Sequence, residues 1–337
     1  MSFRDLNARQ LERERRRRAR ARRRRLVATG SLVTVVAIAA VVAIASAGGG
    51  STGSSPPPAA RTGSRSAAAK RTSPHHSSTP AAASSPVSLT QAKGTGVPGN
   101  ATVPILMYHV INPPPAGAPF PGLYVPADEF AAQMEALKAA GWHAVTMDQL
   151  EANWTRGVPL GPGKPIVLTF DNGYTSQYTN ALPVLKRLGW VGVENIQLSG
   201  LPPSEGGLTD GQVKGLLDSG WELDTQGISH ADLIKLDSSQ LQYQIVTARQ
   251  TLRGRYGVPV NWFCYPSGHY DSTVIGAVRA AGYIGSTTVV PGWASRAEDP
   301  YRLPRLRVLG GTSPTALLEQ IATNQSAASP PGAYGSA

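Results

Sequence analysis

The pattern of hydrophobic positions divides the chain into three parts. Residues 26–47 form an apolar run of 22 residues without a charge, and residues 48–100 show no hydrophobic period. From residue 101 onward, short apolar runs of strand length alternate with segments whose apolar residues recur at spacings of three and four. Strands that alternate with short helices are typical of βα units around a parallel sheet.

The third part therefore predicts an α/β fold. About seven βα units are too few for a complete eightfold barrel with insertions, so we predict a shortened, distorted (β/α) barrel. A doubly wound open sheet is the alternative, but no glycine-rich phosphate fingerprint follows any strand. We predict strands over 103–111, 144–146, 165–170, 191–198, 222–227, 262–266 and 283–288, and helices over 128–140, 180–188, 210–219, 238–256, 271–281 and 314–323.

The apolar run 26–47 is long enough to cross a membrane. At ~1.5 Å per residue it reaches ~33 Å, against ~30 Å for the hydrocarbon core. Twelve arginines in 1–25 adjoin its amino-terminal end, which predicts a basic cytoplasmic tail, a transmembrane anchor and an outer carboxy-terminal domain. Ala45-Ser46-Ala47 leaves open a cleaved signal and a secreted protein.

Composition defines the remaining segments. Residues 48–100 are rich in Pro, Ser, Ala and Gly and cannot bury a core, so we predict a disordered linker. We predict a folded domain over 101–325 and a disordered tail over 326–337.

The charge distribution argues against nucleic acid as a partner. The chain carries a net charge of +11, but residues 1–25 contribute +9, whereas residues 101–337 carry −3. The folded part is therefore not basic, and anionic lipid beside the apolar run explains the arginines. The single cysteine excludes a disulfide framework within the chain and a cysteine-rich zinc site.

Polar residues follow four of the predicted strands. In a (β/α) barrel, side chains at the carboxyl ends of strands carry the chemistry. The four groups are Tyr108-His109, Thr169 to Tyr174, Asp224 to His230, and Phe263 to His269.

With these groups in order, residues 101–310 resemble the polysaccharide deacetylase family, also called the NodB-homology or carbohydrate esterase 4 group. The resemblance rests on 103–109, Thr169 to Gly173, Leu217 to Leu223, Ser229 to Leu233, Phe263 to Gly268 and Leu303 to Val308.

The resemblance implies removal of acetyl groups from N-acetylated sugars with a divalent metal such as zinc, cobalt or nickel. It implies that Asp171 is the base that acts on a metal-bound water, and that Tyr265 stabilises the oxyanion through its backbone N–H. His230 matches one metal ligand of the family.

Two further ligand positions depart from the family pattern. Asn172 stands in place of the metal-binding Asp, and Gln226 in place of the first metal-binding His. Neutral amides add no charge and bind zinc or cobalt poorly.

For other residues near these motifs, we predict roles in substrate binding or in packing. We expect Tyr265, Pro266, Gly268 and His109 to contact substrate, and Trp293 and Tyr270 to offer stacking platforms for sugars. We expect His269 to be a solvated loop histidine and Cys264 to lie in the core.

Three possibilities remain open from the sequence, of which the first two involve N-acetylated glycan. One is a binding module for N-acetylated polysaccharide or peptidoglycan with weak or no catalysis, and the other is an active metal-dependent N-deacetylase. A different hydrolase or a structural wall protein is a third reading. Each would be attached to the membrane through 26–47 or secreted.

Overall fold

The computed structural model describes residues 94–199, 201, 206–326 and 329–335. The predicted cytoplasmic tail and membrane anchor, and nearly all of the predicted linker, lie outside the described residues. In the part of the chain that is described, no helix is long and apolar enough to cross a membrane.

The described residues form one sheet of nine strands. Parallel neighbours run in the order β7-β6-β5-β4-β3-β1, β2 pairs with the first half of β3, and β1 also pairs with β8 and β9. The strands are β1 Val103–Tyr108, β2 Trp142–Val145, β3 Lys164–Asn172, β4 Val193–Ile196, β5 Glu222–Thr225, β6 Trp262–Cys264, β7 Gly285–Thr287, β8 Trp293–Ala294 and β9 Leu306–Arg307.

The sheet curls so that its last segment lies between the first and seventh strands. Leu303 forms a parallel bridge with Thr287 of β7, and Leu306 pairs with Leu106 of β1. A curled parallel sheet with helices agrees with the predicted (β/α) barrel rather than with a flat doubly wound sheet.

The helices match most of the predicted ones. One helix, Met147–Arg156, was not predicted, although a capping box between Thr146 and Gln149 begins it and Gly157 ends it in the left-handed conformation. The helices are α1 Ala127–Ala139, α2 Met147–Arg156, α3 Leu182–Leu188, α4 Asp210–Asp218, α5 Ser238–Gln242, α6 Ala248–Tyr256, α7 Ser272–Ala280 and α8 Pro314–Thr323. A π-helical turn, Tyr243–Thr247, joins α5 to α6.

Alternation along β3 separates the two faces of the sheet. Phe170 packs with Tyr108, Phe130 and Trp221 in an aromatic group on the helix side. Its neighbour Asp171 faces the opposite side, inside the curl, because successive side chains of a strand alternate. The inner face therefore holds the polar residues that the strand ends supply.

The segment after α8 differs from the predicted disorder over 326–337. Within it, the structure describes 329–335, where Pro330 is buried and Tyr334 forms an antiparallel bridge with Tyr270.

An acidic cluster lies at the amino-terminal end of the inner face. Asp224 Oδ1 accepts hydrogen bonds from the backbone N–H groups of Asn261 and Trp262, at 3.0 and 2.8 Å. Glu222 Oε2 accepts from the backbone N–H of Asp148 at 2.8 Å. Burial raises the pKa of Asp224 to about 7 and also raises the pKa of Glu222, so this pair retains a proton well above the usual range of carboxylic acids.

This pair predicts a pH-dependent stability. Because the pKa of Asp224 is higher in the folded than in the unfolded chain, its contribution is complete below pH ~4 and is lost as pH rises towards 7, by about 1 kcal/mol per pH unit. Asp224→Asn keeps an acceptor for the two N–H groups and offers Glu222 a donor, so it should flatten this decline. Urea unfolding between pH 5 and 8 measures the effect, with the exposed Asp218→Asn as control. Equal slopes in Asp224→Asn and the unaltered protein would contradict it.

Candidate functional site

Strained backbone marks the carboxyl ends of three inner strands. In the described ranges, the residues other than glycine with positive φ are Asn172 (81°), His230 (53°) and Ser267 (56°). Asn172 is the last residue of β3, His230 and Ser267 follow β5 and β6, and each lies in a segment that the sequence singled out. Such conformations cost roughly 1–3 kcal/mol and cluster at functional sites, which points to this edge of the sheet.

Asp171 is held in a buried ion pair. It is 1% exposed, and Arg305 donates to its two oxygens, from Nη1 at 2.8 Å and from Nη2 at 2.9 Å. Arg305 also donates from Nη1 to Thr169 Oγ1 and from Nε to the carbonyl of Thr288. All three nitrogens of the guanidinium are therefore held by acceptors, and the guanidinium in turn holds the Asp171 carboxylate in place.

The surroundings keep Asp171 ionised. Burial alone would raise its pKa, but the charge and hydrogen bonds of Arg305, with smaller effects of His109 and Asn195, bring the pKa down to about 2. Asn195, its partner in the register of β4, donates from Nδ2 to Oδ1 at 2.9 Å. A base works best when its pKa lies near the working pH, so this carboxylate is a weak proton acceptor at neutral pH.

Cys264 is buried, as predicted, but it contacts the charged pair. Its Sγ lies 3.5 Å from Asp171 Oδ2 and 3.2 Å from Arg305 Nη2. Burial raises the pKa of this thiol to about 12, so it is a neutral packing group rather than a nucleophile.

Asn172 takes part in a chain of amides. Its Nδ2 donates to Gln197 Oε1 at 2.7 Å, and Gln197 Nε2 donates to the carbonyl of Ser199 at 2.8 Å. Because a carbonyl only accepts, the Gln197 amide nitrogen must face Ser199, and its oxygen then faces residue 172. A donor at position 172 suits this environment, whereas a carboxylate would face another acceptor.

Gln226 and His230 follow β5 on the same edge. Gln226 is 3% exposed, and its Oε1 has no hydrogen-bond partner among the described residues. Pairing of Thr225 with Phe263 brings the next residues, Gln226 and Cys264, side by side. Within the described ranges, no cluster of three or more His, Cys, Asp or Glu side chains could hold a metal ion.

His109 follows β1 beside these groups. Its ring is buried, and Nδ1 has no hydrogen-bond partner among the described residues. Its pKa falls to about 3, chiefly through burial; Asp171 opposes this effect, whereas Arg307, Arg305 and His230 add to it. The ring is therefore neutral, and it shares a neighbourhood with Asp171 and His230.

Gln177, which the sequence analysis did not select, ties two strand ends together. Its buried Nε2 donates to the carbonyl of His109 at 2.8 Å and to the carbonyl of Asp171 at 2.9 Å. One amide thus fixes the ends of β1 and β3 relative to each other.

The strand-end group Tyr265 to His269 follows β6 at this same edge of the sheet. Pro266 and Gly268 are buried in a short turn, and the hydroxyl of Tyr265 donates to the carbonyl of Tyr301 at 2.9 Å. The backbone N–H of Tyr265, which the resemblance assigns to the oxyanion, lies 3.4 Å from the carbonyl of Thr287.

The expectation of a solvated His269 is wrong. The ring is buried, and its Nδ1 lies 2.9 Å from Asp232 Oδ1, because the loop after β5 folds over the turn after β6. Tyr270 is fully buried, and Trp293 packs on Trp142 while its indole N–H donates to Ile321. Neither platform ring is therefore openly exposed.

Arg305, Asn195 and Gln197 are site residues that sequence reasoning did not assign. One feature of the sequence could have pointed to these residues. Each is a polar or charged residue within a short apolar run, 193–198 or 303–308. Such a residue is buried with a partner or lies at a site, and the sequence alone does not show which partner it has.

Comparison with known proteins agrees with this geometry. The polysaccharide deacetylase family profile matches residues 160–285. YxkH of Bacillus subtilis (strain 168), which is assigned to the polysaccharide deacetylases, is 31% identical over 216 residues, covering 64% of this chain and 75% of YxkH. Poly-beta-1,6-N-acetyl-D-glucosamine N-deacetylase of Escherichia coli (strain K12) is 40% identical over 57 residues, 17% of this chain and 8% of that protein.

Among solved structures, the deacetylase PplD of Streptococcus pyogenes, in complex with acetate, has a similar fold. It is 26% identical, with a TM-score of 0.61, and the match covers 66% of this chain and 99% of PplD. Taken with the strand-end motifs and the curled parallel sheet, these similarities show that the chain belongs to the polysaccharide deacetylase family.

Proposed function

We propose that this chain binds N-acetylated cell-wall glycan at the strand-end site of its deacetylase fold and catalyses little or no metal-dependent deacetylation. The observation that carries the proposal is the donor set of Asn172, Gln226 and His230. The family is generally metal-dependent, so the fit of these residues to a metal decides between binding and catalysis.

The donor set does not fit zinc, cobalt or nickel. It offers one imidazole and two neutral amides, whose oxygens can ligate a cation but add no charge to the site. These metals favour imidazole, thiolate and carboxylate ligands. The carboxylate of Asp171, which precedes Asn172 in the chain, is held by Arg305 through its two oxygens.

The same residues suit a neutral ligand. Sugars are bound by a few precisely oriented donors and acceptors, and ligand sites combine such groups with apolar surface. The Oε1 of Gln226 and the Nδ1 of His109 are buried polar atoms without a partner among the described residues. A hydroxyl or acetamido group of a sugar offers both a donor and an acceptor, which is what such atoms require, since buried polar groups are rarely left unpaired.

An active N-deacetylase is the second candidate, and one observation favours it. The ionised Asp171 and the neutral His109 lie in one neighbourhood, and a carboxylate beside an imidazole is a common acid–base pair. The low pKa of Asp171 weakens it as a base.

One set of measurements separates the candidates. The full-length chain is purified in detergent without chelator, its metal content is determined, and an N-acetylglucosamine tetramer is titrated into it by calorimetry. We expect binding of the tetramer, less than one equivalent of metal, and no release of acetate. Tightly held metal with metal-dependent acetate release would instead establish the deacetylase, and absence of binding would refute the binding function.

We also propose that residues 26–47 cross the membrane and hold the folded domain on its outer side. The support is the uncharged run with arginines on one side only. A chain tagged at residue 337 should sediment with membranes, and protease added to intact protoplasts should remove the tag. Recovery of the tagged chain in the medium, starting near residue 48, would instead favour signal cleavage.

A further inference from the structure

Residues 329–335, here called the carboxy-terminal strap, pack against the loop that follows β6. Tyr334 and Tyr270 exchange two backbone hydrogen bonds, at 2.9 and 3.0 Å. The Tyr270 hydroxyl donates to the carbonyl of Pro331 at 2.7 Å, and Arg302 Nη1 donates to the carbonyl of Pro330 at 3.0 Å. The strap is therefore fixed by its backbone to the loop that follows β6.

The strap adds an outer ring to a stack of tyrosines. The rings of Tyr265 and Tyr270 are 4.9 Å apart between centroids and inclined by 29°, and those of Tyr270 and Tyr334 are 6.4 Å apart and inclined by 20°. Tyr265 and Tyr270 are buried, whereas Tyr334 is only half-buried. Of these three rings, Tyr334 is the one with appreciable surface available to a ligand.

This ring lies beside the candidate site. Burial raises the pKa of Tyr334 and Arg307 opposes the rise, so the phenol and this guanidinium share a neighbourhood. Arg307 pairs with Met107, two residues before His109, and its charge acts on His109. The next strap residue, Gly335, approaches His269 so closely that a Cβ there would overlap the imidazole.

We propose that the strap is a wall of the glycan-binding site and that Tyr334 is the ring on which a sugar unit stacks. This inference rests on the proposed function and adds a specificity-determining residue to it. Sugars present apolar C–H faces, and a rigid aromatic ring that is half-buried offers the matching surface at low entropic cost. The strap thus provides a half-buried ring next to Tyr270, which is fully buried.

Calorimetric titration of the full-length chain with an N-acetylglucosamine tetramer tests this role. Tyr334→Ala should weaken binding by roughly tenfold. Tyr334→Phe, which keeps the ring, should bind within about twofold of the unaltered protein. The matched control is Tyr243→Ala, which removes a tyrosine that is 54% exposed on the π-helical turn.

Thermal unfolding of each variant separates binding from folding. Tyr334→Leu keeps an apolar contact with Tyr270 but no aromatic face, so it should retain the thermal midpoint and still bind weakly. If the unaltered protein binds the tetramer and Tyr334→Ala binds it equally or more tightly, the strap is not a binding wall and this inference is overturned. If the unaltered protein binds no tetramer, the proposed function fails as well.

Discussion

Arg305→Ala should lower the free energy of unfolding by about 3–5 kcal/mol. The substitution leaves the Asp171 carboxylate buried without its counter-charge, and it also removes the donors to Thr169 and Thr288. Urea unfolding followed by circular dichroism at neutral pH measures the loss.

Two further variants test whether the loss of stability comes from the buried charge of Asp171. Arg187→Ala removes an exposed ion pair with Glu135, and it should cost less than about 1 kcal/mol. Asp171→Asn, added to Arg305→Ala, should recover part of the lost stability because it removes the uncompensated charge. A loss below 1 kcal/mol in Arg305→Ala would mean that water or another cation reaches Asp171.

The second large effect is a gain of metal affinity. Asn172→Asp combined with Gln226→His should bind Zn²⁺ at least about 100-fold more tightly than the unaltered protein, because one change adds a charge and the other a strong nitrogen donor. Calorimetric titration with zinc measures it, and each single variant serves as a control of intermediate affinity.

The hydrogen bonds of Gln197 reduce the zinc affinity that the double variant can gain. An aspartate at 172 would face Gln197 Oε1, so the Gln197 amide must turn over and leave the Ser199 carbonyl without its donor. The lost hydrogen bond costs about 1 kcal/mol, which is less than the roughly 2.7 kcal/mol of a 100-fold gain. Equal zinc affinity in the double variant and the unaltered protein would mean that positions 172 and 226 do not face a common site.

Much of the fold was predictable because hydrophobic periodicity is a local property. The helix predicted over 314–323 is Pro314–Thr323, and the one predicted over 238–256 spans α5, the π-helical turn and α6. The π-helical turn was not predictable, since one extra residue in a turn barely alters the period. Several strand ends were overestimated because apolar residues continue beyond the last ladder pair, as at Val110 and Ile111, whereas β3 extends two residues past its predicted end.

The site was less predictable because its contacts cross the chain. Asp171 could be selected from contiguous letters, but its partner Arg305 follows 134 residues later, and only the topology brings them together. The partner of Asn172 could not be inferred either, because it depends on the orientation of the Gln197 amide. Disorder was predicted for the strap because most of its hydrogen bonds are made by backbone groups, which leave no hydrophobic period.

The wide sequence separation between Asp171 and Arg305 has a consequence for the order of folding. During synthesis, the strand that carries Asp171 emerges long before the segment that neutralises it, and contacts between distant residues form slowly. Until 303–307 enters between β7 and β1, burial of this carboxylate is unfavourable, so the inner face around Asp171 should stay hydrated. Closure of the sheet and neutralisation of Asp171 are then one event, so the candidate site should become ordered only once this late segment is in place.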